Sequence, residues 1–199
     1  MNLWNESVMA YETYNNEFKT YSKSAKLLLE EVDVYEKIVL DLACGTGIST
    51  LEILKKNPKM IYCVDKSKAM LDFARDRIRY ENVEFFLCSA EEISKVFEKM
   101  DVVLCNSAFW QFKSDLVFEE IYKTLPKDGI FAYSILSRFS PVFLDKKFEV
   151  ERNRFIKKYL IALKVACEKN QIQFPKKENL GKKGQRLSML NILKKKDSA

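Results

Sequence analysis

Val39-Leu40-Asp41-Leu42-Ala43-Cys44-Gly45-Thr46-Gly47 begins as a strand and ends as the opening of a helix. Its apolar residues come without strict alternation, as in a strand buried on both faces. The two glycines let the backbone turn tightly and leave room for a ligand to lie against it. The helix that follows, with Ile48, Leu51 and Leu54 at helical spacing, offers free amides at its N-terminus. Two glycines after a strand are by themselves an ordinary tight turn. Asp65 changes that reading: about 20 residues further on it ends a second strand, placed to accept hydrogen bonds from a ribose diol.

Outward from this stretch, apolar runs and helical patterns alternate. Strands are predicted over Lys37 to Ala43, Met60 to Val64, Val83 to Leu87, Asp101 to Cys105 and Gly129 to Leu136. Between them, the first helix is stopped at Asn57 by Pro58, and Ser67 caps a second helix with Met70, Ala74 and Ile78 as its buried stripe. Ser89 and Glu92 have capping-box spacing before Ile93, Val96 and Phe97, and Ser114 opens a helix carrying Val117, Ile121 and Leu125. Repeated β-α units predict an α/β fold with a doubly wound, mainly parallel sheet whose right-handed crossovers bring the loops after the strands to one edge. Ser22 to Val32 and much of Phe143 to Asn170 also read as helical. From Gln171 the chain is lysine-rich, with a weak apolar cluster at Leu187 to Leu193, and is expected to be loosely ordered.

With 199 residues, 47% hydrophobic and 13% aromatic, the chain can bury one core, so a single unit is expected, made of residues 1–36, a core at 37–136 and a segment at 137–199. No apolar run reaches the roughly 18 residues that cross a bilayer, and the first ten residues lack the pattern of a signal peptide, so no membrane association and a cytoplasmic location are expected. The five cysteines, Cys44, Cys63, Cys88, Cys105 and Cys167, form no C-x-x-C pair, so no metal site is expected. The chain has no histidine, which excludes histidine-based nucleophilic sites and a histidine general base. Charge is uneven: residues 146–199 carry net +11 and residues 1–145 net −5.

Asp41 decides between two nucleotide readings. A dinucleotide fingerprint wants a third glycine where Thr50 stands and no acid crowding its pyrophosphate, whereas a ligand with sulfonium and ammonium groups gains from Asp41. The acid favours S-adenosylmethionine over a nicotinamide cofactor. Here the sequence resembles the class I S-adenosylmethionine-dependent methyltransferases, from about Ala10 to about Leu136, over several ordered motifs. Asp41 to Gly47 resembles the first motif, Val64 to Leu71 the second-strand motif, Val83 to Glu91 the third-strand segment that holds adenine, Asp101 to Phe109 the fourth strand and its loop, and Leu125 to Gly129 the turn before the fifth. Ala10-Tyr11-Glu12-Thr13-Tyr14 is similar to the lid segment that often precedes the core.

The resemblance implies strand order 3-2-1-4-5 and S-adenosylmethionine as cofactor. It implies that Asp41, Ala43, Gly45 and Gly47 surround the methionine part, Asp65 holds the ribose, and Lys66 and Met70 flank the adenine. Ser89 and Ala90 would contact the adenine edge, Asn106 would lie near the sulfonium, and Tyr11 would close the pocket. Tyr14 and Trp110 are candidates for the substrate pocket; packing of an N-terminal helix and anchoring of a loop are their bland alternatives. Ala43 stands where many members have a third glycine, Ser89 where an Asp commonly accepts from the adenine amine, and Trp110-Gln111 where many relatives have a histidine pair. No residue identifies itself as a catalytic base.

The expected activity is therefore methyl transfer, which needs alignment and desolvation more than acid-base help. A small-molecule acceptor is favoured over RNA, the runner-up suggested by the basic segment. A catalytically silent cofactor-binding scaffold of the same fold is the rival from another class. Members of the family usually add an antiparallel hairpin beside the fifth strand, and no such hairpin is legible here. An uncovered fifth strand would be an aggregation-prone edge, so a helix, the tail or a second subunit in a homo-oligomer is expected to cover it.

Overall fold

A computed structural model describes residues 7–136 and 188–194. Helices α1 (Val8–Phe18) and α2 (Thr20–Glu31) precede the alternation β1 (Ile38–Leu42), α3 (Ile48–Leu54), β2 (Met60–Asp65), α4 (Lys68–Arg77) and β3 (Val83–Leu87). A 3₁₀ segment (Ala90–Lys95), β4 (Val102–Asn106), a 3₁₀ turn (Phe109–Gln111), α5 (Ser114–Thr124), β5 (Ile130–Leu136) and β6 (Ser188–Lys194) follow. The sheet runs β3-β2-β1-β4-β5-β6. Its first five strands are parallel, in the order 3-2-1-4-5 expected from the sequence.

Side-chain alternation along the central strands splits the core into two layers. Val39, Ile61, Cys63, Val102, Leu104 and Ala132 face one way, against Leu28, Leu29 and Val32 of α2, Ile53 of α3 and Leu71 and Ile78 of α4. Leu40, Leu42, Val64, Val103, Cys105, Phe131 and Tyr133 face the other way, against Ile93, Phe97, Phe109 and Val117, Phe118 and Ile121 of α5. Residues of β1 and β4 are buried on both faces apart from the half-buried Ile38. The edge strand β3 departs from that expectation: only Val83 is buried and Leu87 is 58% exposed.

The local signals fare unequally. Ser67 caps α4, its hydroxyl accepting from the Met70 amide at 3.3 Å. Ser89 makes no side-chain cap, its hydroxyl donates to the Glu91 carboxylate, and the predicted helix after it is a 3₁₀ segment that leaves Val96 exposed. α3 ends at Leu54, earlier than Pro58 requires. The predicted helix over Phe143 to Asn170 lies outside the described residues.

The tail corrects the expectation of loose order. Residues 188–194 form β6, antiparallel to β5 from Ile130 opposite Lys194 to Leu136 opposite Ser188. Of the expected covers for the fifth strand, it is the tail that pairs with it, supplying one antiparallel strand where the family hairpin had not been legible. Deleting residues 188–199 bares the β5 edge, and an exposed row of unpaired amides templates association. The truncated chain is expected to form higher-order species in light scattering at concentrations where the full chain does not. A monodisperse, equally stable truncation would show that β6 contributes little.

Candidate functional site

The loop after β1 is shaped by left-handed backbone. Ala43 has φ 57°, Gly45 56° and Gly47 81°. For Ala43 this costs roughly 1–2 kcal/mol relative to an ordinary conformation. The turn is closed by the Gly47 amide on the Cys44 carbonyl (3.0 Å) and tied to β2 by the Cys44 amide on the Val64 carbonyl (3.0 Å). The two glycines serve different ends. A Cβ on Gly47 would sit 2.5 Å from Ile78 Cδ1, so this glycine lets α4 pack close. A Cβ on Gly45 would lie 3.7 Å from Tyr11 Oη and 3.8 Å from its ring, filling the gap between turn and roof.

That gap belongs to a cleft at the carboxyl ends of β1, β2 and β4. Of the residues singled out in the sequence, Tyr11, Ala43, Gly45, Asp65, Lys66, Met70, Ala90 and Asn106 line it. Asp65 joins two loops there, Oδ2 accepting from the Gly45 amide (2.9 Å) and Oδ1 from the Ser67 amide (2.8 Å). Burial raises its pKa above the usual carboxylate value, against the lowering effect of these amides and of Lys66. The Tyr11 ring stacks on Tyr21 with centroids 4.5 Å apart. Burial, followed by the nearby Tyr21, pushes the Tyr11 phenol well above its usual 10, and burial pushes Tyr21 up to about 12. Both therefore stay protonated at neutral pH.

Asp41, Gly47, Ser89 and Tyr14 are not among the described lining residues. Asp41 is 1% exposed within the sheet, where Thr50 donates to its Oδ2 at 2.6 Å. Its Oδ1 is buried with no hydrogen-bond partner among the described residues. Tyr14 packs on Phe18 and Tyr21, which is the bland alternative given for it above. Trp110 lies in the 3₁₀ turn, whose Gln111, with the following Phe112, does reach the cleft. The side chain of Asn106 is saturated inside the protein: its amide donates to the Tyr21 carbonyl (2.9 Å) and Ser49 Oγ (3.1 Å), and its oxygen accepts from Ser134 Oγ (2.7 Å).

Sequence reasoning did not assign Tyr21, Leu42, Val64, Cys88, Ser107, Ala108, Gln111 and Phe112 to the lining. Leu42, Val64, Cys88, Ser107 and Ala108 lie inside the quoted motifs and could have been found by following each strand end into its loop. Tyr21 carries no such signal, since it arrives through a helix outside the β-α series. The described residues contain no cluster of three or more His, Cys, Asp or Glu able to hold a metal ion. No helix among them is long and apolar enough to cross a membrane.

Asp41 gives the site a pH signature. Burial raises its pKa from 3.8 to about 7, opposed by the Thr50 hydrogen bond and aided by Asp65. Between these values the folded state holds a proton that the unfolded chain has released, so the contribution of Asp41 to stability is fully present below about pH 4 and is lost as pH rises toward 7. A gap from 3.8 to about 7 corresponds to about 4 kcal/mol. Urea unfolding from pH 4 to 8 is expected to show this decline in the wild type and a flatter profile in Asp41→Asn. Parallel profiles for the two proteins would refute a protonated Asp41.

The comparisons with known proteins agree with this geometry. The family described as a methyltransferase domain matches residues 39–129. The malonyl-[acyl-carrier protein] O-methyltransferase 2 of Coxiella burnetii is 30% identical over 131 residues, which are 63% of this chain and 53% of that protein. The malonyl-[acyl-carrier protein] O-methyltransferase of Acetivibrio thermocellus is 31% identical over 149 residues, 72% of this chain and 52% of that protein. The chain thus spans about half the length of these curated relatives. In fold, it matches a chain of the complex between the Haloferax volcanii Trm112 methyltransferase activator and a methyltransferase, with TM-score 0.73, 13% identity and 99% of each chain covered. Residues 39–129 thus carry a methyltransferase domain, and the strand order, the left-handed turn after β1 and the acid at the end of β2 are those of the class I S-adenosylmethionine-dependent methyltransferase fold.

Proposed function

We propose that the cleft binds S-adenosylmethionine and that the chain transfers its methyl group to a carboxylate oxygen of a small acyl acceptor. The observation that carries the cofactor half is the pairing of Gly45 with Asp65 across the cleft. Each Asp65 oxygen accepts one amide and keeps lone-pair capacity for a vicinal diol. The open side of Gly45 is the gap that a Cβ would fill. Val64, Met70 and Ala90 give the adenine an apolar slot with the Lys66 stem beside it. When bound, the cofactor supplies an electrophilic methyl group to a lone pair aligned with it.

The chain's own part is to align, shelter and exclude water. Tyr11 and Tyr21 roof the cleft with paired rings, whose faces attract a cation by roughly 0.5–2 kcal/mol. Asn106, fixed by its internal hydrogen bonds, presents a rigid wall. The phenols and the thiol here are poor bases at neutral pH, because burial pushes all three up and keeps them protonated; Asp65 is already engaged by the Gly45 and Ser67 amides. A hydroxyl acceptor needs a base, whereas a carboxylate is already ionised. The relatives named for malonyl groups support this choice, since a malonyl group tethered through one carboxyl leaves the other free.

Two measurements test the two halves. Asp65→Ala is expected to weaken S-adenosylhomocysteine binding by calorimetry about tenfold to over a hundredfold, or about 1.5–3 kcal/mol. Affinity equal to wild type would remove Asp65 from the site. Incubation with methyl-labelled S-adenosylmethionine is expected to label malonyl thioesters as an alkali-labile ester and to leave a mixed RNA pool unlabelled. Labelled RNA, together with submicromolar RNA affinity that falls steeply with salt, would overturn the acyl reading.

A further inference from the structure

Glu12 accepts three hydrogen bonds outside the cleft's lining. It is 5% exposed, on α1, directly beside Tyr11. Its carboxylate accepts from the Thr46 hydroxyl in the glycine turn. It also accepts from both terminal nitrogens of Arg77 in the last turn of α4, at 3.2 Å and 2.9 Å. Arg77 Nη1 donates in addition to the Thr46 carbonyl at 3.1 Å, and its guanidinium lies 5.4 Å from the Phe73 ring centroid. One carboxylate therefore ties three elements together, and a bidentate arginine gives the tie a fixed direction as well as strength. α1 also meets α2 through aromatic rings, while Met9 and Phe18 at its ends are exposed.

Placement of the roof follows from this tie. Tyr11 is one residue away, its phenol is 3.7 Å from where a Gly45 Cβ would stand, and its ring covers the cleft together with Tyr21. Thr46, held by Glu12 and Arg77, is the residue after Gly45. The same cluster thus fixes both sides of the gap, roof and floor.

We infer that Glu12 is a positioning residue whose clamp with Arg77 and Thr46 holds Tyr11 over the glycine turn and sets how fast the cofactor leaves. The inference rests on the cofactor reading above. Cofactor exchange requires the Tyr11 roof to move, and the clamp is what must let go for α1 to swing; its loss therefore raises the dissociation rate more than it changes association. The Thr46 hydrogen bond is buried, and the ion pair joins a buried carboxylate to an Arg77 side chain that is 27% exposed, so salt screens it only in part.

Stopped-flow release of S-adenosylhomocysteine from the full chain tests this, with Glu12→Gln, Arg77→Met and the double variant compared with wild type. Release is expected to quicken at least tenfold in each single variant and no further in the double, since both break one clamp. In a Tyr11→Ala background, Glu12→Gln is expected to add no further acceleration, whereas a purely structural Glu12 would still speed release there. Unchanged release in a folded Arg77→Met, or full additivity with Tyr11→Ala, overturns the inference. Hydrogen exchange of Val8–Phe18 without ligand separates the two readings. If wild type binds no S-adenosylhomocysteine, the cofactor reading fails, and with it the assigned rate control. Faster exchange in Glu12→Gln would then still show that the clamp holds α1, and unchanged exchange would dispose of the clamp as well.

Discussion

A strand paired in parallel on both sides, as β1 is with β2 and β4, must deliver its chain to the same edge as both neighbours, and the chain must then turn away at once to begin a covering helix. Left-handed backbone at Ala43, Gly45 and Gly47 makes that turn possible. Gly47 brings α4 close enough for Ile78 to pack, and Gly45 leaves the space that the cleft occupies. Asp65 reaches that edge because β2 runs in register with β1 until Leu42 stands opposite Val64. Its bonds to the Gly45 and Ser67 amides then fix the two loops against each other. Parallel pairing, the turn and the acid are one constraint met three times.

Much of this could be read in the chain because it is local or periodic. Runs such as Val39 to Leu42 and Val102 to Cys105 announce doubly buried strands, and Ser67 announces a cap that forms. What could not be read depends on distant partners. Residues 188–194 have an ordinary mixture of apolar and polar residues, and only the open edge of β5 makes them a strand. Glu12 reads as one charge on a helix of weak amphipathicity, and its partners lie 34 and 65 positions away. Tyr21 enters the cleft by the same kind of long-range packing.

The cleft is braced by neutral hydrogen bonds as well as by charge. Ser24 Oγ donates to Ser134 Oγ at 2.8 Å, and Ser134 in turn donates to Asn106. These links connect α2, β5 and β4, so the helix that carries Tyr21 is joined to the strand that carries Asn106. Buried polar groups satisfied in this way hold geometry without adding a titratable group at the site. For a displacement reaction whose acceptor is already ionised, that is the useful property, because barrier height depends on alignment and on exclusion of water.

Strain at the cleft has the same logic. Ala43 and Ser107 both line it, and both are non-glycine residues with positive φ, 57° and 60°. Each such conformation costs of order 1 kcal/mol or more, and persists only where surrounding bonds over-determine it. For Ser107 these are visible: its amide is held by both the carbonyl (3.1 Å) and the hydroxyl (2.9 Å) of Ser134. For Ala43 the next amide, that of Cys44, is anchored on Val64. The two strained residues are the first after β1 and the first after β4, where adjacent parallel strands release their chains side by side. Two of the seven non-glycine residues with positive φ among the described residues thus stand where the sheet opens into the cleft, and the pairing of β1 with β4 beneath them holds both in place.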